Sequence, residues 1–285
     1  MSILDLGKQS LIYGVGHVLA RLITFLLLPL YTHTFTQGEY GALSLAYAFM
    51  GFALILYRYG MDTALIKYSV QKEGLERKKY ITLIIVTQFI TSFLFTSIIY
   101  FTRLSTAEYV LGTYQPDWIS YLAVILFFDA LWNLPLLILR SEEKAYPYIL
   151  LSLLNVILTM VLNVMFVVYF EQGIEGVFKA NIIASAFIFL VSLPIIIKRM
   201  VFDFFEKDIF FKVTQFALPF LPAGIFTMIM ELSDRYLLEF YLSTAEVGLY
   251  SAGKKMGMLG LTIVMGFNMG WTPYFLKQGE NKDAR

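Results

Sequence analysis

The sequence predicts an all-α polytopic membrane protein of about eight transmembrane helices, and three observations carry that reading. The 285 residues are 58% hydrophobic and only 15% charged, whereas soluble domains are about 45–50% apolar and about 25% charged. The apolar residues also come in blocks, with no charged side chain between Tyr80 and Thr102, between Ala145 and Phe170, or between Met256 and Leu276. Each block reaches the ~20 residues that an α-helix needs to cross hydrocarbon. Third, the basic residues gather in alternate connections.

Taken in order, the spans are predicted at 9–33, 42–66, 80–101, 118–139, 147–170, 177–197, 213–240 and 249–276. The stretch from Leu11 to Tyr31 is too long for the apolar core of a signal peptide and lacks a small-residue cleavage site, so it reads as the first span. Pro29, Pro135, Pro194, Pro219, Pro222 and Pro273 fall within or near the ends of spans, where neighbouring helices can satisfy the backbone groups they free. Pro219 and Pro222 mark span seven as a bent helix.

Charge sets the orientation. Lys67, Lys72, Arg77, Lys78 and Lys79 follow span two, Arg140 and Lys144 follow span four, and Lys198, Arg199, Lys207 and Lys212 follow span six. With Lys8, Lys277, Lys282 and Arg285, fifteen basic residues fall on one side. The opposite loops hold Arg103 and Lys179 beside Glu39, Glu108, Asp117, Glu171, Glu175 and Glu246. Both ends of a multi-pass protein of the cytoplasmic membrane are therefore expected in the cytoplasm. The absence of cysteine removes disulfides, thiolate metal sites and cysteine nucleophiles, and two histidines, His17 and His33, give no imidazole cluster.

A short repeat sits at matching points of this topology. Glu39-Tyr40-Gly41-Ala42-Leu43-Ser44 links spans one and two, and Glu246-Val247-Gly248-Leu249-Tyr250-Ser251 links spans seven and eight. Both read E-x-G-x-x-S. The acid suits a helix N-terminus, and the glycine suits a turn or a close backbone approach. Six spans separate the copies, so the two units point the same way through the membrane, as in transporters built from parallel repeats with the substrate site between halves. Residues 1–200 are expected to form a six-helix lobe and 201–285 the first two helices of a second, so the sequence reads as cut short.

At this level of detail the chain resembles the Wzx-type polysaccharide transporters, the lipid-linked oligosaccharide flippases of the multidrug/oligosaccharidyl-lipid/polysaccharide (MATE-like) exporter superfamily. The resemblance rests on Lys8-Gln9-Ser10-Leu11-Ile12-Tyr13-Gly14, Pro29-Leu30-Tyr31, Gly38-Glu39-Tyr40-Gly41, Ser233-Asp234-Arg235-Tyr236 and Gly248-Leu249-Tyr250-Ser251. It covers the whole chain as a hydropathy pattern with a few anchors. It implies movement of an isoprenoid diphosphate-linked oligosaccharide between leaflets by alternating access around a cationic cavity, for surface polysaccharide assembly. It also implies membrane lipids and polysaccharide polymerase or export machinery as partners, no nucleic acid, and no cofactor beyond H+ or Na+ as coupling ion.

The residues themselves offer charges inside the spans, where an ionisable group costs several kcal/mol and turns toward a cavity or partner. The candidate cavity cations are Arg21, Arg58, Arg235, Lys254 and Lys255. The candidate coupling sites or counter-ions are Asp129, Asp62, Glu231 and Asp234. Arg58 with Asp62, and Glu231 with Arg235, are spaced i,i+4 and equally read as structural pairs. Adjacent Lys254 and Lys255 cannot both face one cavity. Arg21 has no acid within four positions, so its partner is another helix or a ligand, and Asp129 is a cation site or a counter-ion of Arg21 or Arg58. Guanidinium groups suit a diphosphate because they bind phosphate oxygens bidentately. Tyr13, Tyr57 and Tyr250 are candidates for stacking on sugar rings. Asn155, Asn163 and Asn181 read as interhelical hydrogen bonds, and Gly253, Gly257 and Gly260 as close helix packing.

Two other functions compete. A cation-coupled multidrug antiporter of the same superfamily would rely on intramembrane acids, whereas cations outnumber acids in these spans. A membrane glycosyltransferase or polymerase needs a catalytic acid set, and Glu39 stands alone in a short loop.

Overall fold

The computed structural model describes residues 18–19, 22–23, 25–111, 115–258 and 260. All regular elements among them are helices: α1 (Leu27–Thr34), α2 (Gln37–Arg58), α3 (Met61–Gln71), α4 (Gly74–Phe101), α5 (Arg103–Leu111), α6 (Pro116–Ser141), α7 (Ala145–Asn163, continued by a π-helical turn over Val164–Tyr169), α8 (Gly173–Ile197), α9 (Lys207–Ala217) and α10 (Phe220–Tyr241). An eleventh, α11, covers residues 244–258. Six helical stretches are long and apolar enough to cross a membrane, from Gln37–Arg58 to Lys207–Tyr241. They correspond to predicted spans two to seven. Most of spans one and eight lies outside the described residues.

Helix α6 is the hub, contacting α2, α3, α4, α5, α7 and α8. Its apolar residues feed two cores. Leu131, Leu134 and Ile138 pack with Tyr68, Tyr80 and Ile84 towards one end, and Ile119, Leu122 and Ile125 pack with Leu43, Val177 and Phe178 towards the other. Pro135 and Pro194 sit inside continuous helices. On the outer faces large apolar side chains stay exposed, as at Phe93 and Met230, which suits hydrocarbon as solvent.

Where boundaries differ from expectation, the cause is local. Helix α2 begins at Gln37 rather than 42 because Thr36 and Glu39 form a capping box: the Glu39 N–H donates to Thr36 Oγ1 at 3.3 Å, and the Thr36 N–H donates to Glu39 Oε2 at 2.9 Å. Predicted span two does not run unbroken to residue 66. Tyr59 (φ 30°) and Gly60 (φ 82°) are left-handed and split it into α2 and α3. Span seven is broken as its prolines suggest, at Leu218 and Pro219 between α9 and α10. The short α5, read as loop from sequence, forms because Ala107 and Leu111 share one buried face. Among the described residues nothing lies within 4 Å of where side chains on Gly253, Gly257 and Gly260 would stand, and the rest of span eight lies outside them.

The α2–α3 and α9–α10 stretches run antiparallel along their whole length. Gly60 abuts the Ala217 carbonyl, Gly224 meets Ile55, Gly51 meets Leu232, and Tyr236 Oη donates to the Leu45 carbonyl at 3.4 Å. At the lysine-poor end the two repeat motifs touch. A Cβ on Gly41 would collide with the carbonyl of Thr244, four residues before Gly248, and one on Gly248 would collide with the carbonyl of Gln37, four residues before Gly41. The contact is reciprocal, with hypothetical Cβ to backbone nitrogen separations of 3.1 and 3.0 Å in the two directions. The repeat also extends back to its caps, since the Glu246 N–H donates to Ser243 Oγ at 3.3 Å as Glu39 does to Thr36.

At the opposite end the three lysine-rich connections meet. Lys79 pairs with Glu206 at 2.6 Å, and Glu142 accepts from Arg77 at 3.1 Å, from Arg199 Nε at 2.6 Å and from Lys144 at 2.9 Å. Burial alone would raise the Glu142 carboxyl, but hydrogen bonds from Arg199 and Lys144 outweigh it and hold it at about 2.

Two outcomes are expected. Gly41→Ala or Gly248→Ala places a methyl on a backbone carbonyl and should lower stability by about 1–3 kcal/mol, while Gly38→Ala, in open space, should be neutral; thermal midpoints in detergent check this. For Glu142, a depressed folded-state value means that its contribution is complete above its unfolded value near ~4.3 and is lost as pH falls through about 2. Glu142→Gln should therefore cost stability at pH 7, with the gap to the parent closing between pH ~4.5 and ~2 in midpoints measured across that range.

Candidate functional site

A cavity of about 310 Å³ opens between the end of α1, the first half of α2, α7, α8, the second half of α10 and α11. It lies toward the lysine-poor end. Its polar lining is Tyr31, Tyr40, Tyr47, Asn181, Arg235 and Lys255, with Ser44, Thr159 and Ser251 between them. No acid is among the described lining residues.

The tyrosines form one wall because α2 carries Tyr40, Leu43, Ser44 and Tyr47 on a single face at helical spacing. Tyr31 packs on Tyr40 with ring centres 6.4 Å apart and donates to Asn163 Oδ1 at 2.7 Å. Asn181 donates to the Tyr47 hydroxyl at 3.1 Å. The Lys255 ammonium lies 5.7 Å from the Tyr31 ring centre and 5.9 Å from that of Tyr40, within cation–π reach. Arg235 has its buried Nε without a hydrogen-bond partner. Two cations thus face the cavity with aromatic rings, not carboxylates, opposite them.

The predicted charges separate into different fates. Arg235 and Lys255 are brought together in the cavity; Lys254 is not. It pairs with Asp234 and donates to the Glu231 carbonyl at 2.8 Å, while Tyr250 donates its hydroxyl to the same Asp234 carboxylate at 2.6 Å. The i,i+4 pair of Glu231 with Arg235 does not form, because Arg235 turns to the cavity and Glu231 is exposed. Arg58 and Asp62 do not pair either: the left-handed turn at Tyr59 and Gly60 puts them on separate helices, and Asp62 instead accepts the Thr63 N–H at 2.8 Å. Arg58 stands apart from the cavity, within electrostatic reach of Asp62 and Asp129, with its Nε unpartnered. Asp129 accepts from Trp132 at 2.9 Å and from Ser185 at 2.6 Å, and forms no ion pair among the described residues. Arg21 and Tyr13 lie outside the described residues.

Of the predicted stacking tyrosines, Tyr57 is buried between Phe95 and a hydrogen bond to Thr96 at 2.9 Å, away from the cavity, and Tyr250 serves Asp234. Sequence reasoning missed Tyr31, Tyr40 and Tyr47. The seven-residue spacing of Tyr40 and Tyr47, two helical turns, was a usable signal. Asn163 and Asn181 do make the interhelical bonds expected of them.

Comparison with known proteins agrees with this architecture. The Lsg locus protein 1 of Haemophilus influenzae is 23% identical over 283 residues, covering 96% of this chain and 67% of that protein. The MATE multidrug transporter DinF-BH superposes with a TM-score of 0.77 at 15% identity, over 96% of this chain and 65% of that one. A MOP superfamily transporter from Pyrococcus furiosus gives 0.69 at 17% identity, over 92% and 62%. The chain therefore spans about two thirds of the length of these proteins, and the solved folds it shares belong to transporters, not enzymes. It is a multi-pass membrane protein. The family model for polysaccharide biosynthesis proteins matches residues 6–278, and the chain belongs to that family.

Proposed function

We propose that the protein is part of a transporter that carries an isoprenoid diphosphate-linked oligosaccharide across the cytoplasmic membrane by alternating access. The observation that carries this reading is the cavity: two cations, Arg235 and Lys255, set among tyrosine rings with no acid in the described lining. A diphosphate needs charge-assisted donors that are not already neutralised, and an Arg fork in a low-dielectric cavity supplies them. Tyrosine faces offer the flat apolar surface on which sugar rings stack. The volume, near the lower end of ligand pockets, fits a diphosphate and its first sugar, leaving the isoprenoid in lipid.

In this reading residues 1–200 form one lobe and 201–285 begin the other, and the reciprocal contact of Gly41 and Gly248 supports a parallel repeat about a local two-fold. The lysine-rich end faces the cytoplasm under the positive-inside rule. The cavity then lies on the outer side of the α2–α10 contact, and its cations meet the headgroup on its way outward.

A cation-coupled drug antiporter is the rival reading, on the strength of the shared MATE fold and of the half-buried Asp129 carboxylate inside a membrane-crossing helix. It is disfavoured because Asp129 lies outside the cavity lining and the lining is cationic. Pocket polarity does vary across this fold: the Pyrococcus furiosus transporter has a binding pocket of reverse polarity, suggesting a different function.

Transport is tested in proteoliposomes holding an isoprenoid diphosphate-linked oligosaccharide, reading access of an impermeant lectin to the sugar, per folded molecule. Arg235→Ala should lower the rate at least ~10-fold, and Arg235→Lys, which keeps charge but loses the fork, less. Normal transport per molecule by Arg235→Ala overturns the assignment. Orientation is tested separately, by introducing single cysteines. Positions beside Glu108 and Glu171 should react with an impermeant thiol reagent from outside intact cells, and positions beside Lys78 and Lys207 only after permeabilisation.

A further inference from the structure

A second cavity, of about 410 Å³, lies at the lysine-rich end, between the start of α4, the turn after α6 and the end of α8. It is remote from the tyrosine-lined cavity and independent of the function proposed above. Its charged lining is Arg77, Lys78, Lys198 and Arg199, with one acid, Glu142.

The acid cannot answer these cations. A carboxylate offers about four acceptor positions, and Glu142 has filled them. Oε1 accepts from Arg77 Nη2 at 3.1 Å and Arg199 Nε at 2.6 Å, and Oε2 accepts from Arg199 Nη2 and, at 2.9 Å, Lys144. Arg77 still has a buried Nε with no partner. Lys78 and Lys198 are exposed and make no ion pair among the described residues. Glu142 thus holds the two guanidinium groups in place, leaving a surplus of positive charge and unused N–H donors around an open cavity.

The surroundings select the anion. The cavity sits where two membrane-crossing helices, Gly74–Phe101 and Gly173–Ile197, end, which is the level of lipid headgroups. Beside it Leu75 and Ile197 expose 62% and 63% of their surface, apolar side chains suited to the boundary between headgroups and acyl chains. Basic pockets between transmembrane helices are the expected seat of anionic lipid headgroups. We propose that this cavity is a binding site for the phosphate of an anionic phospholipid headgroup, held by Arg77 and Arg199 and neutralised further by Lys78 and Lys198.

The test uses the purified 285-residue chain in phosphatidylcholine nanodiscs doped with a spin-labelled phosphatidylglycerol, reading the motionally restricted lipid fraction. The parent chain should prefer the phosphatidylglycerol probe to its phosphatidylcholine counterpart. The double variant Lys78→Gln, Lys198→Gln removes only exposed side chains and should weaken that preference by at least about fivefold. Removing the same charge elsewhere at that end, as Lys207→Gln with Lys212→Gln, should leave it in place. Equal loss in both double variants would reduce the effect to bulk surface charge and overturn the site. Displacement of the probe by excess inorganic phosphate would assign the cavity to a soluble anion and overturn the lipid assignment.

Discussion

Helices α2 and α11 approach until a backbone carbonyl occupies the space where a Cβ on Gly41 or Gly248 would stand, and the rest of the architecture follows from that distance. Helix–helix association in lipid lacks a strong hydrophobic drive, so small residues that admit close van der Waals contact take its place. Here they recur along the seam, at Gly41, Gly51, Gly60, Gly224 and Gly248. The seam brings Arg235 and Lys255, from α10 and α11, opposite tyrosines of α1 and α2. With bulkier residues at the two motif glycines, the cations would stand away from the aromatic wall.

Charge is handled differently at the two ends. At the lysine-rich end Glu142 gathers Arg77, Lys144 and Arg199 into one network, joining three connections that are far apart in sequence. Near the lysine-poor end Asp234 neutralises Lys254. Lys255 has the ring faces of Tyr31 and Tyr40 in place of an acid, and Arg235 lines the same cavity without an ion pair among the described residues. A cation partly compensated by aromatic quadrupoles keeps more of its charge for an incoming anion than one bound to a carboxylate. That contrast between adjacent residues separates the cation held in an ion pair from those that face the cavity.

Much of the fold was legible because it depends on length and composition. Within the described residues, the apolar blocks of spans two to seven, the basic connections after spans two, four and six, and the E-x-G-x-x-S repeat all survive in the structure. The candidate site was half legible. Arg235 and Lys255 stand out in sequence as charges within apolar stretches, and a neighbouring pair of lysines implies that one must turn away. Nothing local says which, since that choice rests on where Asp234 and the Tyr31 and Tyr40 rings lie across the interface. The pairing of Arg58 with Asp62 failed for a similar reason: i,i+4 spacing guarantees a shared face only while the helix is continuous, and the turn at Tyr59 and Gly60 interrupts it.

The sequence by itself determined an all-helical membrane protein, the order and approximate bounds of spans two to seven, and the alternation of charge between the connections of the described residues. These follow from the cost of exposing polar backbone and charge to hydrocarbon, which every local window of the chain records. Only the tertiary structure decided which cations are spent in ion pairs, that Tyr31, Tyr40 and Tyr47 form one wall, and that the repeat motifs meet. Those outcomes depend on distances between helices remote in sequence, which close packing at the glycines sets.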